Sequence, residues 1–279
     1  MNPELPPLEV VAGALLDARG RILIAERPAG REHAGRWEFP GGKRRPGEAP
    51  AATLARELRE ELGVEIEAFA PLLRVEHRYP GATRRVSIEA FSVTRWRGEP
   101  RGLDGQRLHW CERGRLLEAG LLEADRPLVV ALWLPSRFAR VAGAALSVAS
   151  LEAGRERSAW IVEAPPDGAT LERLGVLDEP LYLLDPMTPL APGIGALWSG
   201  AQRLKPVADR FPAGCVVHSV RDAELATERG ADFLLVRDPD PPATLLAALG
   251  ALGRPWYLSE AARALPGAAA TGRLAWPAD

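Results

Sequence analysis

The chain has 279 residues, of which 47% are hydrophobic and 26% charged, the profile of a globular protein rather than a disordered or fibrous one. A formal net charge of −2 argues against a dedicated duplex nucleic-acid binder, which carries a basic surplus or stripe. No apolar run approaches the roughly 20 residues needed to span a bilayer. The start, "MNPELPPLEV", lacks the basic region and apolar run of a signal peptide, so a cytoplasmic address is expected, with neither membrane nor stable nucleic-acid association. Cys111 and Cys215 lie far apart, form no C-x-x-C pair and read as isolated core thiols.

In chain order, "LEVVAGALLD" and "ILIAER" are two apolar runs around the turn signal "ARGR", which predicts a hairpin. "WEFPGG" reads as a short strand ended by Pro40 and two glycines. From Ala49 to Leu62 there is no glycine, and Pro50 falls in the first turn, where proline is tolerated; a helix is predicted, stopped by Gly63. "LLRVEHRY", "RRVSIEAFSVTRW" and "LHWCE" follow as strands, and "RGRLLEAGLL" as a helix. Many strands with few helices predict an α+β sandwich.

The rhythm then changes. "SAWIVEA", "PLYLLDP", "CVVHSV", "ADFLLVRDP" and "RPWYLS" read as strands, alternating with helical "GATLERLGV", "RDAELATERG" and "PPATLLAALGAL". That β-α-β-α pattern predicts a parallel sheet with helices outside it. The expected domains are 1–134 and 135–279.

Chemistry concentrates in "GGKRRPGEAPAATLARELREELGV", residues 41 to 64. On a helix, Glu57, Glu60 and Glu61 fall within an arc of roughly 100° on one face. Carboxylates so close repel one another unless a cation sits among them. Hard divalent ions such as Mg²⁺ take oxygen ligands from a few carboxylates and from substrate phosphates. Arg56 is placed to hold a carboxylate in bidentate geometry, and glycines 41 and 42 let the backbone approach closely. Taken alone, "ARELREELG" is what any solvated helix with Glu–Arg pairs looks like. The longer string fixes Gly42, Glu48, Arg56-Glu57-Leu58, Glu60-Glu61 and Gly63-Val64 by type, far more than average residue usage yields by chance.

That string matches the pattern G-x5-E-x7-R-E-U-x-E-E-x-G-U (U aliphatic) without departure, so the sequence resembles the Nudix hydrolases. With "WEFPGGK", "RWRGEP" and "ADRPLV", the likeness to the MutT-type 8-oxo-dGTP diphosphatases covers roughly residues 8 to 133. The resemblance implies a Mg²⁺-dependent (or Mn²⁺-dependent) pyrophosphohydrolase of small nucleoside triphosphates that clears oxidised forms such as 8-oxo-dGTP from the pool. It implies metal ligation by Glu57, Glu60, Glu61, the Gly41 carbonyl and Asp104 of "GLDGQ". It further implies that Arg56 orients the glutamates and that Glu57 or Glu60 serves as the base. Arg27, Glu38 and Phe39 fall where family members contact the nucleotide, and Arg84 or Arg85 is expected to reach the base. Where these enzymes carry an asparagine that reads the purine, this chain has Asp125. Asparagine donates and accepts, whereas ionised aspartate only accepts; it would repel a base carbonyl unless held protonated.

In the second half, "GCVVHSVRDAELATERGADFLLV" resembles the strand-helix-strand unit of thiamine phosphate synthases, which are (βα)8 barrels. The segment after "FLLVR" lacks the Gly-Pro and Thr-Lys expected near a substrate, and "YLSEAARAL" replaces a phosphate-binding Gly-Gly turn. The half is also short beside the roughly 250 residues of a complete barrel. It is therefore expected to be a shortened, non-catalytic TIM-barrel-like α/β domain, with His218 and Ser219 a structural pair. The competing reading is a sensor, in which the first half detects a nucleotide and the second binds a partner or a thiamine-like ligand. No feature of the sequence fixes an oligomeric state.

Overall fold

The computed structural model describes residues 5–134, 137–141, 158–162, 181–186, 194–204, 211–259 and 272–275. The chain divides into two compact units, Met1–Trp133 and Leu134–Asp279.

The first unit is built on two sheets. Strands β1 (Leu8–Leu15), β4 (Gly41–Lys43), β5 (Glu65–His77) and β6 (Val86–Arg97) form a mixed sheet in the order β4-β1-β6-β5. Strands β2 (Ile22–Glu26), β3 (Trp37–Glu38) and β7 (Leu108–Cys111) form an antiparallel sheet in the order β3-β2-β7. Helix α1 (Pro50–Leu62) covers one side, with Leu54, Leu58 and Leu62 making a fully buried stripe at i, i+4, i+8 against Val11, Leu15, Leu23, Phe91 and Val93. Alternation along β1 and β2 sends Ala12, Ala14, Ile22 and Ile24 to the opposite side, where they meet Leu128, Val129 and Leu132 of helix α2 (Arg126–Trp133). Gly13 sits under α1: a Cβ there would lie 3.0 Å from a Leu54 methyl. The expected α+β sandwich is the observed architecture.

Several elements differ from expectation. β1 and β2 are not a hairpin; they belong to different sheets and share only an isolated bridge, Leu16 to Ile22. The turn at Asp17–Gly20 carries the chain from one layer to the other, and Asp17 accepts the N–H groups of Arg19 and Arg21 there. "WEFPGG" is two strands rather than one. Pro40 breaks the run, so Trp37–Glu38 pairs with β2, while Gly41–Lys43 pairs with β1. The "LLRVEHRY" strand begins earlier, at Glu65, and bends through register shifts between Ile66 and Leu73. "RGRLLEAGLL" forms only a 3₁₀ helix, Arg113–Glu118, because Gly120 turns left-handed (φ 74°) and stops it. Helix α2 arises instead from "RPLVVALW".

The second unit is a closed ring of eight parallel strands. These are β8 (Arg137–Val141), β9 (Ser158–Val162), β10 (Leu181–Leu184), β11 (Ile194–Trp198), β12 (Gly214–Val216), β13 (Phe233–Val236), β14 (Trp256–Ser259) and β15 (Gly272–Ala275). Each pairs with the next in sequence, and β15 closes on β8. The unit's shortness therefore does not come from missing strands, and β8, β11 and β15 add to the strands expected. The predicted helix "GATLERLGV" lies outside the described residues.

Phe138, Tyr182, Phe233 and Tyr257 are fully buried and touch one another with ring centroids 4.6 to 6.2 Å apart. Phe138 and Phe233 stand on strands that are not neighbours, so they meet across the lumen and fill it. Gly195 and Gly214 make room for this plug; a Cβ at either would lie 2.4 Å from the Tyr182 ring and 2.3 Å from the Phe233 ring respectively. The outer faces of β12 and β13 pack through Cys215, Leu234 and Val236 onto helices α3 (Val220–Glu228) and α4 (Ala243–Ala251). Both cysteines are buried and unbridged, with the Cys215 thiol pushed up to about 12 by burial and by neighbouring carboxylates, as isolated core thiols should be. Ser219 caps α3 by accepting the Asp222 N–H at 3.1 Å, and the His218 N–H donates to Asp222 at 3.2 Å. Among the described residues, no helix is long and apolar enough to cross a membrane.

Candidate active site

Three elements build the site: α1, the β3–β4 connection, and the loop that follows β6. The hydrophobic stripe of α1 fixes its rotation, which turns Glu57, Glu60 and Glu61 away from the core. Pro50 stands in the first turn, and Gly63 ends the helix in the left-handed conformation (φ 70°), its N–H closing on the Arg59 carbonyl at 3.0 Å.

Arg56 organises one side. Its Nε and Nη2 donate to the two carboxylate oxygens of Glu48, each at 2.8 Å. Its Nη1 donates to Glu57 at 2.6 Å and to Glu60 at 3.2 Å, and Nη2 also donates to the Lys43 carbonyl at 3.2 Å. Glu48 receives the Thr53 hydroxyl and the Arg45 N–H as well, and the Arg56 guanidinium above all holds its carboxyl down to about 2. Glu57 lies against Gly42, where a Cβ would come within 2.4 Å of its carboxylate. Glu60 is half exposed.

Glu61 faces the other way, into a cleft. Its carboxylate accepts the Gly41 N–H at 3.1 Å. Burial pushes its carboxyl up to about 7 against that hydrogen bond, and the negative charges of Glu38, Glu57 and Asp104 add to the rise. The cleft is lined by Arg27, Arg31, Glu38, Glu61, Asp104 and Gln106, among others. Gly41 needs to be glycine, with φ at 151° and a would-be Cβ 2.1 Å from the Val11 carbonyl oxygen.

Beyond the cleft lies a second group. Arg27 is ion-paired with Glu38 and donates from Nε to the Glu32 carbonyl at 2.7 Å. Burial raises the Glu38 carboxyl, with Arg27 and Arg31 opposing. Asp125, 5% exposed, has one carboxyl oxygen without a hydrogen-bond partner. Its carboxyl is pushed up to about 8, by burial first and by the Glu38 charge next, against a hydrogen bond from the Phe39 N–H. The rise favours the protonated form of Asp125, which can both donate and accept. The Phe39 side chain is 5% exposed and packs in the core beside Ile24. Arg84 and Arg85 are exposed on the loop before β6 and do not line the cleft.

The structure thus brings Glu61, Asp104, Glu38 and Arg27 together around one cleft and gathers Glu48, Glu57 and Glu60 on Arg56. Among the described residues, no three acidic, histidine or cysteine side chains converge in metal-ligand geometry, because Glu57 and Glu60 turn onto the guanidinium. The residues nonetheless suit a hard cation. The Glu61 carboxyl, raised to about 7 by burial first and then by the charges of Glu38, Glu57 and Asp104, marks a place where a cation would relieve carboxylate repulsion. Arg31 and Gln106 were not expected from the sequence, since a loop arginine or glutamine carries no spacing signal.

Comparison with known proteins agrees with this arrangement. The NUDIX domain family model matches residues 6–132. The CTP pyrophosphohydrolase of Escherichia coli K12 is 40% identical over 135 residues, 48% of this chain and 97% of that protein. The 8-oxo-dGTP diphosphatase of Proteus vulgaris is 36% identical over 110 residues, 39% of this chain and 93% of the relative. The Escherichia coli K12 8-oxo-dGTP diphosphatase is 32% identical over 125 residues, 45% and 95% of the two chains. Sandwich, helix and acidic cleft are those of a hydrolase of phosphoric anhydride bonds. The chain belongs to the Nudix family.

Proposed function

We propose that this protein is a Mg²⁺-dependent nucleoside triphosphate pyrophosphohydrolase that releases a nucleoside monophosphate and pyrophosphate and acts on oxidised guanine nucleotides such as 8-oxo-dGTP. The observation that carries the reading is one cleft lined by Glu38, Glu61 and Asp104 together with Arg27 and Arg31, with Glu61 on the helix whose Glu57 and Glu60 are held by Arg56. Glu57, Glu60, Glu61, Asp104 and the Gly41 carbonyl would hold the metal, with Mn²⁺ an alternative ion. Such an ion neutralises phosphate charge and lowers the pKa of a bound water.

The chain's own residues do the rest. Arg56 fixes the directions of Glu57 and Glu60, and one of these takes the proton of the attacking water. Arg27 and Arg31, which line the acidic cleft, hold the phosphates in place. Neutral Asp125 reads the base: its O–H donates to a carbonyl such as O6 of an oxidised guanine, and its carbonyl oxygen accepts the adjacent N1–H. A protonated aspartate thereby stands in for asparagine, which keeps 8-oxo-dGTP an acceptable substrate.

Cytosine is the second reading. Its N3 acceptor and N4 amine match the same donor–acceptor pair of Asp125, and a relative 40% identical is a CTP pyrophosphohydrolase. The second unit we read as a thiamine phosphate synthase-like barrel without turnover. Its sequential ring of parallel strands supports the barrel reading, and the missing Gly-Pro, Thr-Lys and Gly-Gly signals of its sequence support the absence of turnover.

The test is a product assay with Mg²⁺ over canonical and oxidised nucleoside triphosphates. Pyrophosphate release favouring 8-oxo-dGTP is expected, release favouring CTP would move the assignment to cytosine, and no release from any would overturn it.

A further inference from the structure

Asp104 sits in an exposed turn, on a different element from Glu61 of α1, yet it lines the same cleft. The turn is bound to the last carbonyls of α1, which a helix end leaves open. The Arg101 N–H donates to Leu62 O at 3.0 Å, and the Leu103 N–H donates to Glu61 O at 2.9 Å. Gln106 completes the tie from the far side. Its Nε2 donates to Glu61 O at 3.1 Å, while its Oε1 accepts the Asp104 N–H at 2.9 Å. One planar amide therefore spans the backbones of Glu61 and Asp104, residues whose side chains line one cleft. Only a side chain with a donor and an acceptor at its tip makes both bonds at once. The turn passes close over this bridge, and a Cβ at Gly102 would lie 2.0 Å from the Gln106 carbonyl oxygen.

We propose that Gln106 is a positioning residue that holds the Asp104 carboxylate beside Glu61, so that the two carboxylates face a divalent cation as a fixed pair. Like charges push the turn away from the helix when no cation is bound, and the amide bridge holds it in place. The inference rests on the reading of Glu61 and Asp104 as cation-side ligands.

The test measures Mn²⁺ binding to the free full-length protein, by the electron paramagnetic resonance of unbound Mn²⁺, in Gln106→Ala, Gln106→Met, Asp104→Ala and the double variant Asp104→Ala/Gln106→Ala. Gln106→Met keeps the length and packing of the side chain without its hydrogen bonds. Both single Gln106 variants are expected to raise the Mn²⁺ Kd about 10- to 100-fold, as loss of a residue that orients a ligand does. They should also speed amide exchange over residues 101–106. In the Asp104→Ala background, Gln106→Ala should add less than about twofold, because it acts through Asp104. Unchanged Mn²⁺ affinity in both Gln106 variants, or effects that simply add to that of Asp104→Ala, would overturn the proposal. Unchanged affinity in Asp104→Ala itself would instead overturn the ligand reading, and this proposal with it.

Discussion

Arg56 grips Glu48 through two parallel hydrogen bonds, Nε and Nη2 each 2.8 Å from a carboxylate oxygen. The pair anchors the guanidinium at the start of α1, and its remaining nitrogen is thereby aimed at Glu57 and Glu60. Because the Glu48 carboxyl is held at about 2, below its usual 4.5, its contribution to stability is complete above pH 4.5 and is lost as pH falls toward 2. Glu48→Gln should lower the Tm at pH 7, with the difference closing between pH 4.5 and 2 in a pH series of thermal melts.

Replacing Glu60 by Gln removes a charge that is half exposed and touches only arginine. The fold should survive, with an unchanged circular dichroism spectrum, while kcat with Mg²⁺ falls about 10²- to 10⁴-fold. Full turnover in this variant would exclude Glu60 from the chemistry.

A methyl group at Gly42 would lie 2.4 Å from the Glu57 carboxylate and must displace it. Gly42→Ala should therefore cost about 10- to 100-fold in kcat/KM. The Tm should move little, since the displaced group lies at the cleft and not in the core.

Asp125 has its carboxyl raised to about 8 from an ordinary 3.8, so the folded state binds a proton that the unfolded chain releases. The stability it contributes is complete below pH 3.8 and is lost as pH rises toward 8. Asp125→Asn removes that loss. Its Tm should match the parent's near pH 4 and exceed it by a margin that widens up to about pH 8. The same variant should keep activity on 8-oxo-dGTP, because the amide offers the same donor and acceptor. Parallel melting curves of the two proteins across that range would refute a neutral Asp125.

In the eight-stranded ring, Gly214→Ala would drive a Cβ to 2.3 Å from the Phe233 ring. Overpacking of this kind costs about 1–3 kcal/mol, readable as an earlier midpoint in urea unfolding.

What the sequence made legible follows from how local each signal is. Helix α1 is written in a few turns of chain: a leucine stripe, a proline in the first turn and a terminal glycine. The alternation of strands and helices in the second half likewise needs only neighbours. The layer change between β1 and β2 does not, because two apolar runs around a turn look alike whether they pair or face one another across a sandwich. The raised carboxyl of Asp125 was also out of reach, since it comes from burial and from the charge of Glu38, more than 80 positions away. Arg84 and Arg85 were expected at the base from the resemblance alone, and the fold leaves both exposed ahead of β6.

Ring closure of the parallel strands has a further consequence. With β15 bonded to β8, every strand spends its backbone groups on two flanking strands, so the ring offers no open border to which another chain could add a strand. Among the described residues, recognition by strand addition is therefore denied to this ring, and a partner that engages the ring must be met through side chains.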